Sequence, residues 1–353
     1  MAQKIPSFIS DINNEMIDAA VHALENEKFI LGESVFKFEE EFAKYIGTKN
    51  AISVNSGSSA LHLSLLSVNI SNNSKVITST NSFIASSNTI LSTGAEPILA
   101  DIDESDGNLD MKNNQTNVNA IIPIHIYGNP CDFDSIRRMS EESKIPIIED
   151  ACQAHGAKYF DKKVGSLGDV GCFSFYPTKN MSVGGDGGMI TTNNEEIQSE
   201  VISLRDNGRK SHTTFDKLGF TMRLNTVNAA IGRIQLRHLD ERNSKRRKIA
   251  ELYKKHLSED YFLTENPDGF SVFHQIVFRH KNRDQIMEHL SKNGIGTAIY
   301  YRIPIHKQPL YSYLNLTLPI SEEFSNHVLT LPSYPQLSDD DVKFVCETIN
   351  QIL

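Results

Sequence analysis

The residues of this sequence that are best suited to chemistry follow directly after short apolar runs. After the run at 170–175 comes Tyr176-Pro177-Thr178-Lys179-Asn180, and a glycine-rich stretch follows at 183–188. A free lysine has a pKa of ~10.4, so it acts near neutral pH only when it is deprotonated or already bonded to an aldehyde. Lys179 is therefore a candidate for a Schiff base, although a lysine taken alone is more often a solvated surface residue.

A second candidate is a turn of small residues that precedes a predicted helix. The turn, Asn55-Ser56-Gly57-Ser58-Ser59, follows the apolar run at 51–54. Backbone N–H groups at a helix N-terminus, together with small hydroxyl side chains, suit a phosphate. An ordinary helix N-cap with a glycine turn gives the same pattern. Phe83, which follows the run at 75–79, is either a stacking surface or a core residue.

Two carboxylates, Glu149 and Asp150, close the apolar run at 145–150. A carboxylate buried at a strand end is costly unless it has a partner. On an extended backbone the two side chains point to opposite sides. One can therefore meet a cationic ligand while the other ties down a loop, and a pair of helix-capping acids is the alternative.

Together these features fit the contacts that pyridoxal phosphate needs. A helix N-terminus takes the phosphate, an aromatic ring takes one face of the pyridine ring, and a carboxylate keeps the pyridine nitrogen protonated. A lysine takes the aldehyde. Because each of the four candidates follows a predicted strand, they are expected at the carboxyl edge of one sheet, where open α/β sheets bind ligands.

The elements that must position these residues alternate between short apolar runs and helical patterns. The runs are apolar throughout, which indicates strands covered on both faces. They lie at 51–54, 75–79, 96–102, 119–128, 145–150, 170–175 and 188–192, with helices predicted at 35–46, 58–68, 83–92, 132–143, 194–205 and 226–257. The pattern predicts a doubly wound, mainly parallel α/β domain over residues 1–240. Predicted strands at 271–280 and 296–302, with helices at 283–293 and 338–352, indicate a smaller α+β domain over residues 241–353.

Composition limits the classes of function. Of the 353 residues, 39% are hydrophobic and 22% are charged, which is ordinary for a globular protein. The formal charge of −9 makes nucleic acids and anionic membranes unexpected partners. No apolar run approaches the ~18 residues that span a bilayer, and no signal segment is evident at the N-terminus, so a cytoplasmic location is expected. The four cysteines are expected to be buried thiols, and no residue spacing indicates a metal site.

Longer motifs resemble the DegT/DnrJ/EryC1/StrS family of sugar aminotransferases. The parts from Glu149 to Gly156 and from Ser174 to Gly188 are highly specific for it. The matching stretches are GESVFKFEEEFAKYIGTKNAISVNSGSSALHLSL, PIHIYGNPCDFDSI, IIEDACQAHGAKY, SFYPTKNMSVGGDGGMITTN, AAIGRIQL, YRIPIHKQPLY and LPSYPQLSDDDV. The matching segments extend over essentially the whole chain. The resemblance implies a type I aminotransferase fold, with pyridoxal 5′-phosphate as cofactor, and a homodimer with active sites at the subunit interface.

The resemblance also implies roles for single residues. Lys179 would hold the cofactor as a Schiff base and shuttle the proton, Asp150 would pair with the pyridinium, and Gln153 would pair with the phenolic oxygen. Phe83 would cover one ring face. The phosphate would be held by Gly57, Ser58, Ser59 and Ser174, and by Thr221 of the partner subunit. The family usually has Thr at the position of Ser58 and Asn at that of Thr221. Tyr301 and His306 lie in the segment expected to meet the substrate.

The implied activity is transfer of an amino group from an amino acid, expected to be L-glutamate, to a keto group of a nucleotide-linked deoxysugar. Amination of an inositol-type ring ketone is an alternative. Lys179 argues against the family's dehydratases, which carry His at this position. A non-catalytic regulator that binds DNA is a further alternative, because residues 242–248 form a basic run. The complete set of cofactor residues and the acidic net charge disfavour that reading.

Overall fold

The structure of the protein, a computed structural model, describes residues 4–111 and 117–353. Its helices are α1 (Asn14–Asn26), α2 (Glu33–Ile46), α3 (Gly57–Ser67), α4 (Ala85–Ser92), α5 (Phe133–Ser143), α6 (Glu195–Arg205), α7 (Thr226–Arg237), α8 (Leu239–His256), α9 (Arg283–Lys292), α10 (Pro319–His327) and α11 (Asp339–Asn350). Its strands are β1 (Asn50–Val54), β2 (Lys75–Ser79), β3 (Glu96–Ala100), β4 (Ala120–Ile122), β5 (Ile148–Asp150), β6 (Lys158–Tyr159), β7 (Lys162–Lys163), β8 (Val170–Ser174), β9 (Gly188–Thr192), β10 (Gly269–Phe270), β11 (Ile276–Arg279) and β12 (Val328–Leu331).

The central sheet has the strand order β1-β9-β8-β5-β4-β2-β3. A four-stranded part, β1-β9-β8-β5, and a three-stranded part, β3-β2-β4, are joined by parallel bridges from Ile121 to Ile147 and from Ile124 to Asp150. β9 runs antiparallel to both of its neighbours, and the other neighbouring strands pair in parallel. The predicted mainly parallel α/β sheet is confirmed, and the carboxyl ends of β1, β2, β5 and β8 lie at one edge.

Helices cover both faces of this sheet, because successive side chains of a strand face opposite sides. On β8, Cys172 belongs to the apolar cluster that includes Leu61 and Leu63 of α3. The next residue, Phe173, packs on the other face, with its ring centroid 5.0 Å from that of Phe42 of α2. Both residues are fully buried. Burial on both faces explains why the strand sequences are apolar throughout.

A second apolar cluster lies in the C-terminal part of the chain. It combines β11 and β12 with apolar residues of α8, α9 and α11. α8 crosses between the two parts, since Leu239 packs in a cluster of the large sheet while Tyr253 packs in the C-terminal cluster. Ile5 also packs in the C-terminal cluster. We propose that the two domains divide between residues 240 and 241. That boundary falls inside the first turn of α8.

Several predicted elements differ from the observed ones. The predicted helix at 226–257 is two helices, α7 and α8, which meet at His238. The predicted strand at 296–302 is wrong, because only Ala298 makes a bridge there, to Thr330. The predicted strand at 119–128 ends early, at Ile122, before Pro123, which has no N–H to donate to a ladder. α1 was not predicted.

Candidate active site

A cavity of about 550 Å³ opens at the carboxyl edge of the central sheet. This volume lies within the range of about 300–1,000 Å³ that small-molecule and cofactor pockets occupy. Most of the residues that sequence reasoning singled out line this cavity. They are Gly57, Ser58, Phe83, Asp150, Gln153, Ser174, Lys179 and Tyr301.

One end of the cavity is formed by the N-terminus of α3. The Ser56 side chain caps the helix by accepting a hydrogen bond from the N–H of Ser59 at 3.0 Å. A Cβ atom on Gly57 would lie 2.6 Å from Cβ of Ser174 and 2.9 Å from Sγ of Cys152, so only glycine allows the helix to approach this closely. The helix N–H groups and the hydroxyls of Ser58 and Ser174 therefore form a cradle of donors suited to a phosphate.

The side chain of Ser59 was expected to hold the phosphate, but it has other partners. Its hydroxyl donates to Oδ1 of Asn55 at 2.6 Å and is also 2.9 Å from Oγ of Ser56. The side chain is buried and does not line the cavity. Ser59 thus holds the turn in shape, and only its backbone N–H remains part of the helix N-terminus.

Asp150 presents its carboxylate to the cavity at the end of β5. Oδ2 accepts a hydrogen bond from the hydroxyl of Ser86 at 2.7 Å, and Oδ1 accepts one from the backbone N–H of Cys152 at 3.1 Å. The residue is only 5% exposed. These two bonds fix the carboxylate in one orientation, in which it can receive a cationic ligand nitrogen.

Glu149, the preceding residue, faces away from the cavity and is fully buried. Its carboxylate accepts hydrogen bonds from the backbone N–H groups of Gly165, Leu167 and Gly168 at 2.6, 2.7 and 2.7 Å. Nε2 of His125 lies 3.1 Å from Oε2. Glu149 therefore ties the 165–168 loop to the sheet, and the two neighbouring carboxylates have separate roles.

Lys179 lies in the loop after β8 and lines the cavity. Burial lowers the pKa of its ammonium, and the nearby Cys152 and Asp150 oppose that shift only in part. Burial disfavours the charged form of a lysine. The neutral amine, which is the nucleophile towards an aldehyde, therefore makes up a larger fraction of this lysine than of a lysine on the protein surface.

The amide of Gln153 is held in one orientation. Its Oε1 accepts a hydrogen bond from the backbone N–H of Tyr127 at 2.9 Å, and its Nε2 donates to the hydroxyl of Tyr301 at 3.0 Å. Tyr127 has φ of +58°, a left-handed conformation that is uncommon for a non-glycine residue. The strained backbone aims its N–H at Gln153, and the donor end of the amide is left on the cavity side with Tyr301.

Phe83 lines the cavity, yet 58% of its surface is exposed. It follows β2, as predicted, and is not a core residue. An exposed aromatic ring in a cavity wall offers a flat face to a planar ligand. The donor cradle, the carboxylate, the lysine and this ring form a set that fits pyridoxal phosphate.

Besides Ser59, two more predicted residues lie outside the cavity. Thr221 is exposed, and its hydroxyl donates to Oδ1 of Asn207 at 3.0 Å. His306 is buried, with Nδ1 2.7 Å from Oγ1 of Thr80 and Nε2 3.1 Å from Oε1 of Glu322. Because both ring nitrogens are engaged, His306 fastens its segment to the large domain, and we do not carry it forward as a substrate contact.

Sequence reasoning missed several residues of the cavity wall. Ser86 gave no signal, because a serine within a short helix has no distinguishing pattern. Tyr176 and Thr178 were within reach, since they flank the lysine in the same motif. Cys152 and Asp186 lie in the quoted motifs, and Tyr300 precedes Tyr301, so these three were also within the segments considered. His274 and Gln275 come from a distant part of the chain, and only folding brings them to the cavity.

The comparison with known proteins decides the family. The model of the DegT/DnrJ/EryC1/StrS aminotransferase family matches residues 10–350. The chain belongs to this family. Aminotransferases of the family use pyridoxal 5′-phosphate, and the residues of the cavity fit that cofactor.

Individual relatives match over nearly their whole length. A dTDP-3-amino-3,6-dideoxy-alpha-D-galactopyranose transaminase of Aneurinibacillus thermoaerophilus is 38% identical, covering 96% of this chain and 95% of its own. A protein of Geobacillus stearothermophilus named a pleiotropic regulatory protein is 36% identical, covering 95% and 93%. The crystal structure of S. venezuelae DesV in complex with a ketimine intermediate superposes with a TM-score of 0.92. The two sequences are 34% identical, and the match covers 96% of this chain and 94% of that one. The type I aminotransferase fold is therefore confirmed.

The described residues contain neither a candidate membrane span nor a candidate metal cluster. No helix between residues 4–111 or 117–353 is long and apolar enough to cross a membrane. Over the same residues, no group of three or more His, Cys, Asp or Glu side chains is placed to hold a metal ion.

Proposed function

We propose that this enzyme transfers the amino group of an amino acid, L-glutamate, to a keto group of a nucleotide-linked deoxysugar. The observation that carries the proposal is the cavity at the carboxyl edge of the sheet. There Lys179, Asp150, Gln153 and the N-terminus of α3 converge from separate elements. The relative from A. thermoaerophilus is named as a transaminase of such a sugar, which supports the substrate class.

The residues of the chain divide the chemistry among them. Bound pyridoxal phosphate supplies an electron sink, which stabilises negative charge on the carbon that loses a proton. Asp150, fixed by Ser86, would hold a proton on the pyridine nitrogen, and Gln153 would face the phenolic oxygen. The amine of Lys179 would take the proton from one carbon and return it to another. The N-terminus of α3 would hold the phosphate.

A role as a DNA-binding regulator is less well supported, although one relative is named a regulatory protein. The basic run at 242–248 is the only sequence feature that favours it. In the structure the run is not a free cationic stripe, because its side chains pair with carboxylates or lie buried. The pairs are Arg242 with Asp11, Lys245 with Glu241, Arg247 with Glu265 and Lys248 with Asp339, and Arg246 is buried.

We further propose that the working unit is a homodimer in which Thr221 approaches the cofactor phosphate of the partner. Among the described residues that line the cavity, Lys179 is the only lysine or arginine, so the phosphate cradle has no cation of its own. The segment before Thr221 exposes apolar side chains, with Phe215 54% and Leu218 81% exposed. Such side chains favour burial against a second surface.

A screen of keto-sugar nucleotides with L-glutamate, read by mass spectrometry, tests the proposed reaction. The expected product is heavier than the keto sugar, because a hydrogen atom and an amino group replace the keto oxygen. The panel includes an inositol-type ketone, and the Lys179→Ala variant is the matched control. If only the ring ketone is aminated, the substrate is a ring ketone and not a nucleotide-linked sugar. If none of the ketones is aminated, the proposed function is overturned.

A further inference from the structure

Arg246 of α8 is a buried cation whose hydrogen-bonding capacity is only partly used. The residue is 4% exposed. Its Nη1 donates to the backbone carbonyls of Ser333 and, at 3.5 Å, of His274. Its Nε is buried and has no hydrogen-bond partner among the described residues. A guanidinium has five N–H donors, so donors remain for a further acceptor.

The charge of Arg246 is also compensated only from a distance, by Asp11. Within residues 4–111 and 117–353 no carboxylate lies within ion-pair distance of it, whereas its helix neighbours Arg242 and Arg247 pair with Asp11 and Glu265. Burial lowers the pKa of Arg246 to about 10, and the nearby Arg242 adds to that effect. A buried charge without a partner is strongly unfavourable, and an anion that enters the site would relieve this cost.

A small cavity of about 30 Å³ lies against Arg246. Its volume is close to the share of one water molecule in the liquid, so it accommodates the end of a ligand but not a whole one. It shares wall residues with the active-site cavity: Thr178, His274, Gln275 and Tyr300. The cavity beside Arg246 therefore adjoins the active-site cavity across these four side chains.

His274 relates this subsite to the lysine. It lines both cavities, and its Nδ1 lies 3.1 Å from Oδ1 of Asn180, the residue after Lys179. Burial holds the pKa of His274 well below its usual range, and the charges of Lys179 and Arg246 lower it further. The neutral imidazole thus lies within electrostatic reach of both cations and competes with neither for an anion.

We propose that Arg246 binds a carboxylate of the amino donor while the donor's nitrogen reacts at Lys179's end of the cavity. Arginine suits this task because its planar fork forms two parallel hydrogen bonds to a carboxylate. The amino acid supplies the anion that the buried guanidinium lacks. The inference rests on the proposed function, since it assigns a site to the amino donor of that reaction.

The test compares Arg246→Gln and Arg246→Lys with the wild type. Glutarate binding to the holoenzyme is measured by calorimetry, and cofactor conversion by L-glutamate is followed by its visible absorbance. We expect Arg246→Gln to weaken glutarate binding and to raise the half-saturating L-glutamate concentration, each on the order of 10- to 100-fold. Pyridoxal phosphate affinity should not change. Arg246→Lys keeps the charge but not the forked pair of N–H donors, so its affinity for glutarate should lie between those of the wild type and Arg246→Gln.

Arg247→Gln is the matched control, because it removes the adjacent arginine of the same helix and should leave glutarate binding unchanged. A thermal melt with glutarate adds a readout: the ligand should raise the melting temperature of the wild type but not of Arg246→Gln. L-alanine, which has only the α-carboxylate, shows which carboxylate is bound. If Arg246 holds the α-carboxylate, Arg246→Gln weakens the binding of both L-alanine and L-glutamate. If Arg246 holds the side-chain carboxylate, the binding of L-alanine is unaffected.

The outcomes separate the two proposals. If the wild type converts its cofactor with L-glutamate and folded Arg246 variants bind glutarate and L-glutamate as it does, the Arg246 site is wrong and the proposed function stands. Should Arg246→Gln not fold, an Arg246→Lys variant with wild-type binding overturns the site in the same way. Arg246-dependent glutarate binding in a protein that L-glutamate does not convert would support the site and overturn the proposed donor.

Discussion

Glu149 and Asp150 are neighbours on β5, but they face opposite sides of the sheet and have different partners. Their alternation on an extended strand was predictable from the sequence, and so was the division into one ligand-facing and one loop-binding carboxylate. What the sequence could not predict is the partner of each. Ser86 and the 165–168 loop reach β5 only through the tertiary fold.

Asn and Gln substitutions should separate these two roles. Asp150→Asn removes the charge that stabilises a protonated pyridine nitrogen, so we expect kcat to fall by on the order of 10² or more with little change in stability. Glu149→Gln leaves an amide where three backbone N–H groups need acceptors, so the free energy of unfolding should fall by about 2–3 kcal/mol, with a smaller loss of activity. Steady-state rates and urea denaturation measure both. The reverse ranking of activity loss would show that the wrong carboxylate had been assigned.

At the scale of elements, the site depends on how closely the N-terminus of α3 approaches the end of β8. The short apolar strands and the helices between them were predictable, because burial on both faces leaves a plain pattern in the sequence. The break between α7 and α8 at His238 was not, since both segments continue a helical pattern. The segment at 296–302 looked like a strand because it is apolar, yet its apolar side chains Ile299, Tyr300 and Tyr301 pack against buried clusters outside any ladder.

Gly57→Ala tests the close approach of α3. The added Cβ would meet Ser174 and Cys152 at under 3 Å, so the helix N-terminus must shift away from the phosphate position. We expect the affinity of the apo-protein for pyridoxal phosphate to fall by at least about tenfold, which corresponds to 1.4 kcal/mol. Ser67→Ala, at the other end of the same helix, is the control and should leave affinity unchanged. Wild-type affinity in Gly57→Ala would mean that the phosphate lies elsewhere.

At the scale of the whole molecule, the described residues of one chain supply the lysine, the carboxylate and the ring contact but no cation at the phosphate end of the cavity. The segment that carries Thr221 extends outward with exposed apolar residues, and the helix α1 also exposes Ile17, Val21 and Leu24. A partner subunit was implied by the resemblance alone. Neither apolar composition nor strand pattern specifies which surface would meet it.

Sedimentation analysis tests the assembly directly. We expect a dimer at micromolar concentration, and we expect Leu218→Lys to weaken it, because the charge would be buried at the proposed interface. Leu353→Lys, at an exposed C-terminal residue, is the control and should leave the dimer intact. Thr221→Val should loosen pyridoxal phosphate binding by about 1 kcal/mol, the value of one hydrogen bond. A fully active monomer would rule out the shared site.

The central claim is that Lys179 binds the aldehyde of pyridoxal phosphate. Borohydride reduction of the holoenzyme, followed by proteolysis and mass spectrometry, tests it most directly. The reduced cofactor should be attached to the peptide that contains Lys179, the visible absorbance should disappear on reduction, and Lys179→Ala should give no labelled peptide while remaining folded. Attachment to another lysine, or no attachment in a protein that catalyses amino transfer, would contradict the account.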